Sequence, residues 1–510
     1  MELLSPMVAF GYHPPSLQNE EGVILDKPGK ASYHFPTSFR MIVLLKTMSK
    51  ILEQVMTVRL SAIACSKGIL YPNQSNSLPG LSALDVCLSL VYEVRILQRV
   101  ILRVCTLFLD IKPGFNNVNT STLRASLLAK HTPAYMVDWV SSFSSVRSCT
   151  LVFLGSPNLP APVSVGTPQG SLISPLLVLL YVAPLHLAIP KGLMLSYVDD
   201  FSITLASESH QDNIHRLQIT FTEIAGRGRD LGVSFSVPKT ELMHWRTLSQ
   251  RTPHATTPIE LDGHFFHPQQ VVRWLSYWLT PALTGTHHYR HRLSLAQAAF
   301  SFVKRFSSPG AGVRPFLCHR IAQGLLLPVL TYGADLYTPN SCTLLGMNSF
   351  WQRVQRWTTK PSFLTPTSIL SRGACLTPII SYCRYRRPLA ALRVACTAPM
   401  TNPASARLPA SFPSLSAFRA PDLSRHLTRG LSSVYLALDW RTPILSPLIR
   451  KHLPIDALAH VTRPLQEGLT CFPLILQAPL PAGSNIPPAQ LITPTYHALR
   501  TKAKDMLLKD

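Results

Sequence analysis

The chain has 510 residues, enough for two to four domains of roughly 100–200 residues each. Its 48 Lys and Arg against 25 Asp and Glu give a formal net charge of +23, which points to a polyanionic partner, nucleic acid first, with a generic basic protein as the bland alternative. The 10 cysteines include no C-x-x-C pair, and the N-terminus MELLSPMVAFGYHPPSLQNEEG is neither a signal peptide nor a basic transit peptide, so zinc-ribbon spacing and a secreted disulfide framework are both excluded.

In chain order, residues 47–63 carry apolar side chains at Met48, Ile51, Leu52, Val55, Met56 and Leu60, which is helical spacing. Residues 104–111, VCTLFLDI, form a continuous apolar run of strand type that ends on Asp110. Residues 121–131 read as a helix and 145–155 as a strand. Residues 163–177 read as a Gly/Pro loop feeding an apolar helix. That helix, LLVLLYVAPLHLAI over 176–189, is too short to cross a bilayer and contains Pro184 and His186, so it reads as core. Then LMLSYVDDFSITLA reads as strand, turn, strand, with Asp199 and Asp200 at the turn. Strands and helices interleave without a βαβ rhythm, so the fold class is α+β. The stretches 401–421 and 473–494 are rich in Pro, Ser and Ala and read as linkers. Divisions are expected near residues 270 and 340.

Adjacent carboxylates in an apolar run cannot stay ionised without a counter-charge. Asp110 closes one apolar strand, and Asp199 and Asp200 sit at the bend of another. If the two strands are neighbours, three carboxylates converge and two Mg²⁺ ions roughly 3.5–4 Å apart would neutralise them and clamp a phosphoryl displacement. A turn or cap role is the structural alternative for each aspartate taken singly.

These residues also carry a resemblance. SYVDD (196–200) resembles the Y-x-D-D box of reverse transcriptases, FLDIKPGFNNV (108–118) their first catalytic motif, and GTPQGSLISPLL (166–177) their glycine-glutamine segment. LDKPGK (25–30) and PTSFRMIVLL (36–45) resemble the fingers segments, SKILEQVMTVRL the helix that follows, and KTELMHWR (239–246) the lysine motif. VRWLSYWL (272–279) resembles the primer-grip strand, and LPVLTYGADLY (327–337) resembles the thumb of LINE-type, non-LTR retrotransposons, with Tad-like elements the nearest kin. The likeness covers about residues 10–340.

The resemblance implies a right-hand polymerase with fingers and first palm elements in 1–103, palm in 104–270, thumb in 271–340 and a basic, Pro-rich, mostly helical extension in 341–510. It implies an RNA-directed DNA polymerase that uses Mg²⁺, or Mn²⁺ in its place, with an RNA template, a DNA primer or target and dNTPs as partners, inside the cell and in the nucleus when active. Oligomeric state is left open, and no membrane partner is implied. Asp110, Asp199 and Asp200 would hold the metals. Lys239 would steady or protonate the leaving pyrophosphate. Arg40 with Lys27 or Lys30 would meet the triphosphate. Phe115 would exclude the ribose 2′-hydroxyl, Gln169 with Gly166 and Gly170 would lie beside the nascent pair, and Tyr197 would press on the primer terminus. Each has a plain alternative as core, turn or surface residue. His287, His288 and His291, beside Arg290 and Arg292, read as a basic helix face for nucleic acid rather than a metal cluster.

Some residues depart from the family pattern. Asn116 stands where the family has a second aspartate, after Pro113–Gly114. QSN (74–76) replaces Q-F-G, SLISP replaces S-P-L-S-P, RMIVLL replaces R-P-I, and LDKPGK has aspartate for proline. None removes a metal ligand. The expected arrangement leaves no room for an endonuclease in front and shows no RNase H cluster behind, so a nick would come from another protein. The rival readings are a catalytically decayed nucleic-acid-binding remnant and an intron-maturase-like RNA-binding protein.

Overall fold

The computed structural model describes the chain from Leu4 to Ala390 apart from short interruptions, the longer ones being 113–116, 189–192, 247–255, 306–313 and 360–364. Phe115, Asn116, both Pro-rich stretches and most of 381–396 lie outside the described residues. These residues fall into two compact units, one ending at Gln270 and one starting at Val271.

The first unit opens with helix α1 (Leu4–Ala9), then the antiparallel pair β1 (Asn19–Asp26) and β2 (Phe39–Leu44). Helix α2 (Thr47–Ser66) buries Leu52, Met56, Leu60 and Ala64, one stripe at i, i+4 spacing. Each large apolar side chain so buried contributes about 1.5–3 kcal/mol. The two-residue strand β3 (Gln74–Ser75) precedes α3 (Ala83–Arg99), whose first turn is closed by a capping box between Ser82 and Asp85.

Strand β4 (Arg103–Lys112) is the axis of the larger sheet. After it come α4 (Thr120–Ala129), α5 (Ala134–Ser144), β5 (Arg147–Phe153), β6 (Ser156–Pro157), β7 (Ala161–Val163) and α6 (Ser174–Val182). The hairpin β8 (Leu193–Tyr197) and β9 (Asp200–Ser207) leads into α7 (His210–Asp230), then β10 (Ser234–Phe235), β11 (Glu241–Trp245) and a small hairpin of β12 (Ile259–Leu261) and β13 (His264–Phe266). The larger sheet runs β10-β4-β9-β8-β3, with β11 also paired to β4. The smaller runs β2-β1-β5-β6, with β7 on β5.

The mixed parallel and antiparallel pairings, with no repeated βαβ units among the described residues, bear out the α+β reading. Alternation along β4 sends Cys105, Leu107, Leu109 and Ile111 into one core with α2, α4, α5, α6 and α7. Val104, Thr106 and Phe108 are buried on the opposite face, the one against which α3 packs. The apolar 176–189 run is core as expected: every α6 residue except Pro175 is buried. Among the described residues no helix is long and apolar enough to cross a membrane.

The second unit starts with β14 (Val272–Trp274) and β15 (Tyr277–Leu279), followed by α8 (Thr286–Arg305), α9 (Pro315–Ile321), α10 (Leu327–Thr331) and α11 (Ser341–Thr359). The single strand expected over 272–279 is a hairpin instead. Leu275 and Ser276 both have positive φ, 47° and 69°, which closes a two-residue turn. The basic face expected on α8 is corrected at His288, while His287 and Arg290 are exposed. His288 is fully buried, with Nε2 2.7 Å from the Tyr332 carbonyl oxygen and Nδ1 accepting from the Trp278 N–H at 3.3 Å. His287 and His291 meet the Trp278 ring edge-on, and the Arg292 guanidinium lies over Tyr332 while Nε donates to the Val329 carbonyl at 2.8 Å.

Candidate active site

The β4–β9 ladder runs without a bulge from Arg103 opposite Ser207 to Asp110 opposite Asp200. Directly paired residues project to the same face of a sheet, so the two carboxylates are neighbours. On the other side of β9, Tyr197 pairs with Asp200, and Val198–Asp199 make the two-residue turn between them. Such a turn needs positive φ, which Val198 supplies at 58°. A β-branched residue is disfavoured there, with strain of about 1–3 kcal/mol. The Asp199 carbonyl accepts from the Ile111 N–H at 3.0 Å, tying the turn to β4 beside Asp110.

The carboxylates feel one another. Burial pushes the Asp200 carboxyl up to about 7; Asp199 and Asp110 add to the rise and Lys239 opposes it. Asp199 is likewise raised, by burial first and then Asp110, against Lys239 and Arg40. Lys239, just before β11, pairs with the cluster: its Nζ donates to Asp110 Oδ2 at 2.7 Å. Its side chain is 65% exposed, against 19% for Asp110, so this cation is drawn from the solvent side. All the donor atoms are carboxylate oxygens, the hard ligands that Mg²⁺ and Mn²⁺ take, so the set fits a divalent metal.

A second cluster is basic. Leu25 pairs with Arg40 across β1 and β2, and Lys27 follows β1 directly. Slight burial lowers Lys27, as do Arg40, Lys30 and Lys239, while Asp110 raises it. Lys27, Arg40 and Lys239 thus share one field with the acidic residues, with Lys30 on the same basic loop.

The glycine-glutamine segment is latched from three sides. The Gln169 carbonyl accepts from the Val43 N–H of β2 at 2.7 Å. Arg147 donates to the carbonyls of Gly166 at 2.7 Å and Val165 at 3.3 Å, and its other nitrogen pairs with Glu20 at 3.2 Å, both partners 3% exposed or less. Buried Glu53 of α2 accepts from Ser171 Oγ and from the Leu172 N–H at 2.9 Å. Gly170 has φ 134°, and a Cβ there would press into the Val43 carbonyl oxygen, so only glycine lets loop and strand meet.

The structure therefore brings together Asp110, Asp199, Asp200, Lys239, Lys27 and Arg40, and sets Tyr197 at the same turn. Gln169 and Gly170 lie on the loop bonded to β2. Phe115 is outside the described residues. Sequence reasoning missed Arg147 and Glu20, which sit in segments with no motif, and gave Glu53 no role although the S-K-x-x-E helix contained it.

A family model described as reverse transcriptase (RNA-dependent DNA polymerase) matches residues 25–279. Among curated relatives, the probable RNA-directed DNA polymerase from transposon BS of Drosophila melanogaster is 28% identical over 282 residues, 52% of this chain and 30% of that protein. The probable RNA-directed DNA polymerase from transposon X-element of the same organism is 26% identical over 296 residues, 56% of this chain and 31% of that protein. The chain thus matches under a third of the length of these relatives. Among solved structures, telomerase from Candida tropicalis in complex with a TWJ fragment of telomeric RNA aligns over 86% of this chain and 65% of its own, at 13% identity and a TM-score of 0.40.

Proposed function

Because the chain belongs to the reverse transcriptase family, in which a right-hand polymerase fold and divalent metals are the rule, we propose that it is the RNA-directed DNA polymerase of a LINE-type retrotransposon. The observation that carries the reading is the register of β4 against β9, which opposes Asp110 to Asp200 with Asp199 in the adjoining turn.

In this reading 1–103 are fingers and first palm elements, 104–270 palm and 271–340 thumb. Asp110, Asp199 and Asp200 hold two Mg²⁺ ions, or Mn²⁺. Bound there, these ions supply a lowered pKa for the primer 3′-hydroxyl and charge neutralisation for the leaving pyrophosphate. Lys27, Lys30 and Arg40 take the incoming triphosphate, the arginine by a bidentate contact. Lys239, free to swing because it is mostly exposed, leaves Asp110 and meets the pyrophosphate as it forms. Gln169 and Gly170 back the nascent base pair from a loop fixed by Arg147 and Glu53. Tyr197 steadies the primer end. Phe115, by its place in the first motif, bars the ribose 2′-hydroxyl. The template is RNA, the primer DNA at a target site, and the place of action the nucleus.

The test is primer extension on poly(rA)/oligo(dT) with dTTP and Mg²⁺, with the Asp199→Asn/Asp200→Asn variant alongside. Extension by the parent chain and none by the variant supports the proposal. Equal, salt-sensitive duplex binding by both with no extension by either identifies a decayed binding scaffold. In that case Pro113 and Asn116 are the first positions to revert.

A further inference from the structure

Three side chains converge on the face of β4 opposite Asp110. Cys105 lies in β4, His244 stands directly across from it in β11, and His210 is the first residue of α7. Cys105 Sγ is 2.8 Å from His244 Nδ1 and 3.2 Å from His210 Nδ1. The two imidazole centroids are 4.5 Å apart, and the three donor atoms all lie within 4.8 Å of one another. Cys105 and His244 are buried and His210 is half-buried.

The hydrogen-bond inventory at this point is informative. His244 Nε2 is 2.9 Å from the carbonyl oxygen of Thr257. A carbonyl only accepts, so Nε2 carries the ring proton and Nδ1 offers a lone pair to the sulfur. A ring N–H held by a backbone carbonyl, with the other nitrogen bare, is the arrangement of a metal-bound histidine. His210 Nδ1 faces the same sulfur from the start of α7, a helix capped by Ser209, whose Oγ accepts from the Asp212 N–H at 3.0 Å. A cation in place of the thiol proton would satisfy the sulfur and both ring nitrogens at once.

We propose that Cys105, His210 and His244 bind one Zn²⁺ ion. Bond lengths of about 2.3 Å to sulfur and 2.0–2.1 Å to nitrogen put tetrahedral donor atoms roughly 3.4–3.6 Å apart. The two sulfur–nitrogen distances differ from that by less than about 1 Å, within the reach of small side-chain rotations. A thiolate with two imidazoles is a borderline-soft set that selects zinc over Mg²⁺, so the site is chemically distinct from the three carboxylates. It is also distant from them: five residues along β4 at about 3.3 Å each is roughly 16 Å. Binding exchanges the thiol proton for the metal, Cys–SH plus Zn²⁺ giving Cys–S⁻–Zn²⁺ plus H⁺. Water takes the fourth position on the half-exposed His210 side. The ion joins β4, β11 and the start of α7, three elements separate in sequence.

The full chain, stripped with a chelator and titrated with Co²⁺, tests the assignment. The expected result is a thiolate-to-cobalt charge-transfer band that saturates at one equivalent and is displaced by Zn²⁺. Cys105→Ser abolishes the band, His210→Gln weakens binding at least a hundredfold, and Asp199→Asn/Asp200→Asn leaves both unchanged. No band at one equivalent, or a band that survives in Cys105→Ser, overturns the proposal and leaves a hydrogen-bonded triad. If Cys105→Ser fails to fold by circular dichroism, His210→Gln decides, because its ring lies at a helix start; unchanged cobalt affinity in that variant is equally fatal.

Discussion

Replacing Gly170 by alanine tests the latch between the glycine-glutamine loop and β2. The new Cβ would sit well inside 3 Å of the Val43 carbonyl oxygen, at a φ of 134°. A carbon beside a carbonyl oxygen needs roughly 3.3 Å, so loop and strand must part by about 1 Å. That separation breaks the 2.7 Å bond between the Val43 N–H and the Gln169 carbonyl. Backbone strain of about 1–3 kcal/mol and a lost hydrogen bond of about 1 kcal/mol together predict a loss of roughly 2–4 kcal/mol. On the proposed function, in which this loop backs the nascent base pair, a displacement of that size lowers turnover by about a hundredfold. Urea unfolding reads the first number and single-nucleotide extension the second. Gly232→Ala is the control, because Gly232 has φ 70° with nothing within 4 Å of its Cβ, so only the conformational part, about 1–2 kcal/mol, applies. Equal stability losses in the two variants, with extension by Gly170→Ala within threefold of the parent, would refute the steric argument.

Three further expectations concern charge. Because burial and its neighbours hold Asp200 near 7, a proton must leave before a cation binds, so the half-saturating Mg²⁺ concentration for extension rises about tenfold per unit as pH falls below 7; a flat profile between pH 7 and 5.5 contradicts it. Arg147→Ala strands a buried Glu20 and loses about 3–5 kcal/mol in urea unfolding, while Glu20→Gln/Arg147→Met recovers most of it; a loss under about 1 kcal/mol would mean the pair contributes little. Burial holds His186 down at about 3, against about 6.5 in the unfolded chain, so the unfolded state gains the proton first and stability falls as pH drops from 6.5 toward 3. At pH 5 the loss is about 2 kcal/mol, and the stability difference between pH 7 and 5 should shrink by that amount in His186→Gln.

Much of the first unit was legible because its signals are local. The apolar run ending in Asp110 and the paired aspartates of the hairpin have the length and polarity of strands, and the stripe at Leu52, Met56 and Leu60 has the period of a helix. The three-carboxylate cluster followed from assuming two strands adjacent, and the register bears out that adjacency. What was not legible depends on distant partners. Nothing near Arg147 announces that Glu20, well over a hundred residues earlier, will meet it in the interior. The 272–279 segment read as one strand because its apolar pattern continues through Leu275 and Ser276, neither of which is a usual residue for positive φ. His288 looked like part of a basic face because its neighbours are charged, yet the carbonyl of Tyr332 satisfies its ring in the core. Cysteine spacing likewise failed to flag Cys105, since its two histidine neighbours come from other elements.

The alternation of β4 has a consequence for how the chain tolerates change. Its ten residues carry two readouts in opposite phase: Asp110 belongs to the even-numbered phase, while Cys105, Leu107 and Leu109 belong to the odd one. A one-residue insertion or deletion between Cys105 and Asp110 swaps the phases, turning a carboxylate into the core and an apolar side chain toward Asp200. A two-residue change keeps the phase and only shortens or lengthens the strand. The segment is therefore far less forgiving of odd than of even changes in length, although every residue in it could be conserved in kind.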